Sequence, residues 1–422
     1  MSSSQYKALK GMQDILPPDI YLWQKVESVC RGTFSSFGFQ EIRVPVVEST
    51  NVFTRSIGEN TDIVEKEMYT FTDKGNRSIS LRPEGTASVV RSYVEKNLHT
   101  LPSPQKFYYS GPMFRYERPQ SGRFRQFYQI GVEAFGDQGP AIDAEVISML
   151  RHCLEGIGLK EITFNVNSIG CPECRPVYKE KLLEFFAGRL DVICPDCNRR
   201  YYTNPLRILD CKVDRCREAR ENAPKVTDYL CSVCRTHFDS LLSFLEILNV
   251  SYSVNPDMVR GLDYYTRTTF EVTSQHLGAQ NAVAAGGRYD RLVKEFGGPE
   301  TPAVGFAMGM ERIVELLKGL LAQDIPTPDL FFAVIGISAA RESMVMGDKL
   351  RVKGYWIEIG DAESSLKSQM RRADRLSAKY VFILGDDELN SGKLKWKRLS
   401  DSSQGEVSLF EITDFLQKEL RA

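Results

Sequence analysis

The chain has 422 residues, too many for one ordinary core, so two to three domains are expected. Its composition, 42% hydrophobic and 26% charged, is that of a globular protein, and no apolar run approaches the roughly 18 residues needed to span a bilayer, which excludes a membrane role. Fifty-four basic residues against 55 acidic ones give a net charge of -1, so a polyanion partner must be held by local basic patches.

The opening MSSSQYKALKGMQDILPPD lacks the charged-then-apolar pattern of a secretory signal, which favours the cytoplasm. After the Pro17-Pro18 turn, Leu22, Val26, Val29 and Phe34 recur at helical spacing. Gly38 ends that helix, and Phe39 to Val46 reads as a strand with Ile42, Val44 and Val46 on one face. Pro45 cannot donate to a ladder, so the strand should lie at an edge or break there. Arg77 to Leu81 reads as β, and Gln105 to Phe135 as a long hairpin with a polar break at Glu117 to Gly122. Asp143 to Leu159 reads as a helix, followed by a cysteine-rich and basic block, then an amphipathic helix through Phe238, Leu241, Leu242, Phe244 and Leu245. Strand signals return at Tyr264 to Thr273 and Asn281 to Ala285, and a helix at Glu311 to Leu321. The cysteine block (171–250) thus interrupts a first domain made of 1–170 and 251–325. Asp324 to Asp329, with two prolines, has linker composition, and from Leu330 a β-α-β-α-β alternation to Gly385 predicts a small α/β domain over 330–422.

Eight of the ten cysteines lie in that block, as Cys171/Cys174, Cys194/Cys197, Cys211/Cys216 and Cys231/Cys234. Without a signal peptide they point to metal or thiol chemistry rather than a disulfide framework, and the gap from Cys174 to Cys194 matches a zinc-ribbon spacing. Structural Zn²⁺ is the expectation. The block also carries Arg199, Arg200, Arg207, Lys212, Arg215, Arg217 and Arg220 against Asp210, Asp214 and Glu218, consistent with an insertion that closes over RNA. No P-loop, HExxH helix or GxSxG elbow is present.

Four clusters carry the remaining chemistry. From Lys106 to Arg125 there are five basic residues and one acid with aromatics interleaved, a strand-loop-strand suited to phosphates. On its return strand, alternation places Arg125, Phe127, Gln129, Gly131 and Glu133 on one face, with Gln129 and Glu133 roughly 13 Å apart. The plainer reading is a half-exposed hairpin with solvent-facing polar residues. Second, Glu84-Gly85-Thr86 ends a strand with an acid and a hydroxyl that could grip an ammonium group, or with an acid that stabilises a helix start. Third come Arg260-Gly-Leu-Asp263-Tyr264-Tyr265 and Gly286-Gly287-Arg288-Tyr289-Asp290, whose tyrosines are individually core candidates. Fourth, Gly305 to Arg312 runs from a glycine-punctuated strand into a helix whose Arg312 can meet a nucleotide or pair with Glu311.

These clusters, in this order, resemble the class II aminoacyl-tRNA synthetases, and within them the histidyl-tRNA synthetase family. The Pro45 strand resembles the dimer-forming first motif, Phe114-Arg115-Tyr-Glu-Arg118-Pro the second and Gly305 to Arg312 the third, while the Arg260 and Gly286 stretches resemble the two histidine-recognition signatures. The resemblance spans nearly the whole chain. It implies an α+β multidomain protein: a class II synthetase-like antiparallel sheet flanked by helices, a cysteine-rich insertion, and a C-terminal α/β anticodon-binding domain. It implies that the chain activates L-histidine with ATP and Mg²⁺ to histidyl-adenylate and pyrophosphate, then transfers histidine to the 3′ end of tRNA(His), as a homodimer. Arg115 and Arg260 would be catalytic, with Arg115, Glu117, Arg123 and Arg312 binding ATP. Glu84, Gly85, Thr86, Gln129, Glu133, Tyr264, Tyr265 and Tyr289 would bind histidine. Arg118 and Gln120 would face the tRNA acceptor end, and Arg371 and Arg372, on a basic run with Lys367, Arg375 and Lys379, the anticodon side. The family does not need zinc for activity, so the resemblance leaves the cysteines unexplained. Two rivals remain at this point: a synthetase-like regulatory subunit of histidine biosynthesis, without ligase activity, and a zinc-stabilised RNA-binding protein without chemistry.

Overall fold

The computed structural model describes residues 6–58, 61–118, 122–259, 262–277, 281–320 and 325–420. It divides into two units, Met1–Gln323 and Asp324–Ala422.

In the first unit the strands are β1 (Gln40–Glu41), β2 (Val47–Ser49), β3 (Thr70–Thr72), β4 (Ser78–Leu81), β5 (Gln105–Phe114), β6 (Gln126–Phe135), β7 (Thr163–Ser168), β8 (Tyr252–Val254), β9 (Thr266–Thr273), β10 (Ala282–Arg288) and β11 (Ala303–Gly309). The helices are α1 (Asp19–Ser36), α2 (Thr50–Ile57), α3 (Thr86–Glu95), α4 (Pro140–Ile157), α5 (Cys174–Ala187), α6 (Pro195–Thr203), α7 (Asp214–Ala219), α8 (Ser232–Ile247), α9 (Leu292–Glu295) and α10 (Met310–Leu320). Eight strands form one sheet in the order β1-β5-β6-β11-β10-β9-β7-β8. Its six inner strands are antiparallel, and β1 and β8 add in parallel at the two edges.

Pro45 has the expected effect. The run from Phe39 does not continue as one strand: β1 stays at the edge of the large sheet, and β2 begins two residues past the proline in a separate β2-β4-β3 sheet. Arg82 ties the two together, its guanidinium donating to the carbonyls of Val44 (3.0 Å) and Pro112 (2.9 Å). The hairpin runs in unbroken register from Gln105↔Phe135 to Phe114↔Gln126.

One face of the large sheet is covered by α1, α4, α8 and α10. Leu22, Val26, Cys30 and Phe34 of α1, Phe238, Leu241 and Leu245 of α8, and the apolar face of α4 meet Val132, Val166, Phe270 and Phe306 from the strands in a single buried cluster. Each such fully buried aliphatic or aromatic side chain contributes roughly 1.5–3 kcal/mol relative to exposure. Next to it lies a buried polar network centred on Arg288 and Asp143. Arg288 is fully buried and reaches both Asp143 oxygens (2.8 and 3.0 Å) and the carbonyls of Asp137 and Gly139, while Asp143 also accepts from Thr268 (2.6 Å) and meets His237 of α8 (2.9 Å). Such a network is tolerated in a core because its charges are paired.

The second unit contains β12 (Leu330–Val334), α11 (Ile337–Val352), β13 (Ile357–Ile359), α12 (Leu366–Arg375), β14 (Tyr380–Leu384), α13 (Asp386–Ser391), β15 (Lys393–Arg398), β16 (Gln404–Ser408) and α14 (Ile412–Leu420). The β-α-β-α-β alternation builds the parallel trio β13-β12-β14, as its pattern requires. Two antiparallel strands, β15 and β16, extend it, a feature the sequence reading passed over. The signal was present: Leu394 is buried and Trp396 packs on the core, while Lys393 and Lys395 between them are exposed.

Candidate functional site

The middle of the large sheet is where its glycines lie, and they make the site. Gly305 of β11 sits opposite Glu133 of β6. A Cβ on Gly305 would stand 2.0 Å from Glu133 Oε2 and 2.2 Å from the carbonyl of Val132, so the missing side chain is the space the carboxylate occupies. Gly85 and Gly131 do the same for Tyr109, whose ring would lie 2.2 and 2.4 Å from a Cβ at either position. Gly85, expected to touch ligand, therefore makes room for a tyrosine.

Glu133 is buried and fully engaged. Its Oε1 accepts from Thr86 Oγ1 at 2.6 Å and from Tyr109 at 3.5 Å, and its Oε2 accepts from the Tyr289 hydroxyl. Burial pushes its carboxyl up to about 8, against the hydrogen bonds from Thr86 and Tyr289, which favour the ionised form; nearby Glu84 raises it further. The folded value thus lies above the unfolded one, and this group's stabilising contribution is full below about pH 4.5 and lost as pH rises through about 8. The slope is at most about 1.4 kcal/mol per pH unit. Melting curves of the ligand-free protein across that window should fall less steeply for Glu133→Gln than for the parent, and parallel curves would refute the assignment.

Glu84 serves the helix start: its two oxygens accept from the backbone N–H groups of Thr86 (2.7 Å) and Ala87 (2.8 Å), the first residues of α3. Burial nevertheless raises its carboxyl, with those N–H groups opposing. Glu84 thus caps α3 and also lines the cavity of the site.

That cavity, of about 220 Å³, is lined by Glu84, Thr86, Arg115, Glu117, Arg123, Gln129, Glu133, Tyr264, Tyr265, Tyr289 and Arg312 together. Four separate sequence clusters converge on one space. Arg115 donates to the Pro83 carbonyl (2.9 Å) and lies over the Phe127 ring, 5.3 Å from its centroid. Arg123 is paired with Glu117, and Arg312 donates to the carbonyls of Gly122 and Ala282. The buried amide oxygen of Gln129 has no protein partner. Tyr264 packs on Tyr265 (4.7 Å) and edge-on against Tyr289 (5.7 Å), closing the end around Glu133.

Arg260 and Gln120 lie outside the described residues. Arg125 does not share the face of Gln129: β6 begins only at Gln126, and the Arg125 guanidinium instead stacks 3.9 Å above Tyr116. Glu311 accepts from the Tyr128 N–H at 3.0 and 3.1 Å, and burial pushes its carboxyl up to about 7, against backbone N–H groups and the nearby Arg312 charge. Sequence reasoning missed Tyr109 and Glu311, the first because a strand tyrosine reads as core, the second because its acid had an arginine next door.

Arg118 is exposed. Arg371 and Arg372 are exposed on α12, with Arg372 also pairing with Glu358 (3.2 Å). Lys379 lies past the end of α12 and pairs with Asp329 (2.8 Å), so it does not extend that basic face. In the insertion, Arg199, Arg200 and Arg207 pair with Glu65, Asp62 and Asp263 within the same unit.

The cysteines do not join in the expected ribbon. Cys171 and Cys174 meet Cys231 and Cys234, and Cys194 and Cys197 meet Cys211 and Cys216; within each group of four the sulfurs all lie within 4.8 Å of one another. The 14-residue helix α5 begins at Cys174 and carries the chain away from the first group before Cys194 is reached. Each group has four ligand atoms able to hold a metal ion. No helix among the described residues is long and apolar enough to cross a membrane.

Comparison with known proteins gives the following. A family model described as histidyl-tRNA synthetase matches residues 11–172 and 202–313, and one described as anticodon binding domain matches 332–419. A histidine–tRNA ligase of Thermodesulfovibrio yellowstonii is 52% identical over 98% of this chain and 99% of its own, and that of Halothermothrix orenii is 48% identical over the same shares. The crystal structure of apo Staphylococcus aureus histidyl-tRNA synthetase superposes with a TM-score of 0.83 at 36% identity, covering 98% of this chain and all of that one.

Proposed function

The chain belongs to the histidyl-tRNA synthetase family, and from that premise we propose that its cavity activates L-histidine with ATP and transfers it to the 3′ end of tRNA(His). The observation that carries this reading is the buried Glu133, held by Thr86 and Tyr289, in one cavity with Arg115, Arg123 and Arg312. A carboxylate and hydroxyls facing an imidazole give its ring N–H a partner, and an apolar isostere would leave those groups unpaired. Glu84, Thr86 and the unpartnered Gln129 oxygen offer acceptors to the α-ammonium.

With histidine so placed, a carboxylate oxygen attacks the α-phosphorus of ATP. The new O–P bond forms as the bond to the bridging oxygen breaks, and pyrophosphate leaves with that electron pair. Arg115 and Arg260 meet the negative charge that develops on the phosphoryl oxygens, and Arg123 and Arg312 hold the triphosphate. The carboxylates of Glu117 and Glu311 line the same cavity and are oxygen donors of the kind Mg²⁺ takes. When bound, Mg²⁺ neutralises charge on the triphosphate. In the second step a ribose hydroxyl at the tRNA end attacks the adenylate carbonyl and AMP departs. Arg118 and Gln120 then serve the acceptor end and Arg371 and Arg372 the anticodon side. As the family resemblance implies, the protein acts as a homodimer through the region of Pro45, in the cytoplasm where these substrates are found.

The regulatory-subunit reading finds no support beside full-length kinship to ligases and an anticodon-binding domain. A zinc-stabilised RNA binder leaves the buried Glu133 and its partners without a role. Pyrophosphate–ATP exchange, run with each standard amino acid in turn, tests the proposal: exchange with histidine alone supports it, and a folded protein that binds histidine but exchanges with none returns the regulatory reading.

A further inference from the structure

The family match omits residues 173–201 and resumes at 202, so Cys174, Cys194 and Cys197 fall outside it. Yet the eight cysteines of the insertion gather into two compact groups outside the cavity. Seven are buried, Cys231 is half-buried, and all are free thiols. Measured separations within the groups are 3.5 Å (Cys171 to Cys174), 3.9 Å (Cys171 to Cys231) and 3.9 Å (Cys194 to Cys211). A disulfide needs about 2.0 Å. Four sulfurs placed tetrahedrally at about 2.3 Å from a zinc ion would stand about 3.8 Å apart, which the measured edges bracket.

The backbone is arranged for thiolates. In the first group the Cys231 N–H points to Cys174 Sγ at 3.1 Å, and in the second the Cys194 N–H points to Cys216 Sγ at 3.1 Å and the Cys197 N–H to Cys194 Sγ at 3.4 Å. Cys174 and Cys234 sit in the first turns of α5 and α8, and Cys194 caps α6, positions where the helix field favours negative charge. Gly170, at φ +69°, brings the chain so close to Cys174 that a Cβ would stand 2.7 Å from that residue's own.

We propose that the insertion binds two zinc ions, one in each group of four, and that the first of them clasps its entry and exit so as to fix the histidine pocket. Loading releases the protons of the bound thiols to solvent as each sulfur coordinates. The two sites do different work. The Cys194 group lies inside the insertion's own core with Tyr178, Leu182, Phe186 and Ile208, and holds that core together. The Cys171 group joins the start of α5, where the chain leaves β7, to the start of α8, where it returns.

From this clasp, contacts run to the pocket. Arg175, next to Cys174, donates to the carbonyl of Tyr265. Farther along, Asn204 (3.1 Å) and Arg207 (3.2 Å) both reach Asp263 Oδ1. The segment Leu262–Tyr265 is therefore gripped from the insertion at two points. It carries two tyrosines of the cavity wall.

The first half of this inference rests on coordination chemistry alone; the second rests on the proposed histidine pocket. Elemental analysis of protein produced in zinc-sufficient medium should give about two zinc per chain, and Cys234→Ser and Cys216→Ser should each lower this by about one. Should the variants not fold, stripping the parent protein and titrating with Co²⁺ gives the same count from thiolate-to-cobalt charge-transfer absorption. Zinc below about 0.2 per chain in folded protein from that medium overturns the sites. For the coupling, metal removal should raise the histidine KM in pyrophosphate exchange by about tenfold, with the ATP KM little changed and zinc restoring the histidine KM. An unchanged histidine KM in metal-free folded protein overturns the coupling. Two zinc in a protein with no exchange activity would instead fault the ligase reading and leave the sites standing.

Discussion

Replacing Glu133 with Gln is expected to lower kcat/KM for histidine in pyrophosphate exchange by about 10³-fold, while leaving the melting temperature at neutral pH unchanged or higher. The amide is nearly the same size, so the cleft made by Gly305 still fits it. What changes is the charge and the hydrogen bonding. Thr86 and Tyr289 each donate to a different oxygen of Glu133, and an amide has only one oxygen to accept with. One hydroxyl must turn away or accept from the new NH₂, and the imidazole N–H loses its anionic partner. Stability moves the other way because the carboxyl is already pushed up by burial, so a neutral group in its place removes a desolvation cost. Activity lost with stability kept separates a ligand-facing acid from a structural one. A loss of activity below tenfold, or one that tracks unfolding, would sink the assignment.

The second large effect is expected at Arg260. Arg260→Ala should reduce adenylate formation by about 10³-fold with histidine binding partly kept, because its positive charge is needed most when negative charge develops on the transferred phosphoryl group. The chain on either side of it is firmly anchored. Before it, the Met258 carbonyl accepts from Asn167 at 2.9 Å, and after it Asp263 is held by Asn204, Arg207 and the Ile57 carbonyl. Equilibrium histidine binding beside single-turnover adenylate formation checks this; unchanged adenylate formation would remove Arg260 from the mechanism.

Much of this site was legible because strand geometry is periodic. Gln129 and Glu133 were placed on one face by alternation, and the register with β11 bears that out. The interruption at Pro45 followed from a missing N–H. Other features depended on three dimensions. Arg125 fitted the same alternation but lies one residue before the strand begins, where the pleat no longer governs its direction. The cysteines obeyed a local spacing rule that linked Cys174 with Cys194, whereas the fold unites residues 57 positions apart at Cys174 and Cys231. Spacing says what a short loop permits, and here helix α5 decides otherwise. Arg288, without a role of its own at the level of sequence, is the buried centre of the network around Asp143, one residue before Tyr289.

The pairing of Gly305 with Glu133 also bears on how such a protein can change over generations. A single base change that replaces a glycine adds a side chain, and any side chain at 305 strikes not only the Glu133 carboxylate but the Val132 carbonyl, which no later substitution can remove. That position is closed to drift even after Glu133 has been altered. Variation in this cavity is therefore left to its other walls, at Thr86, Tyr264 or Tyr289.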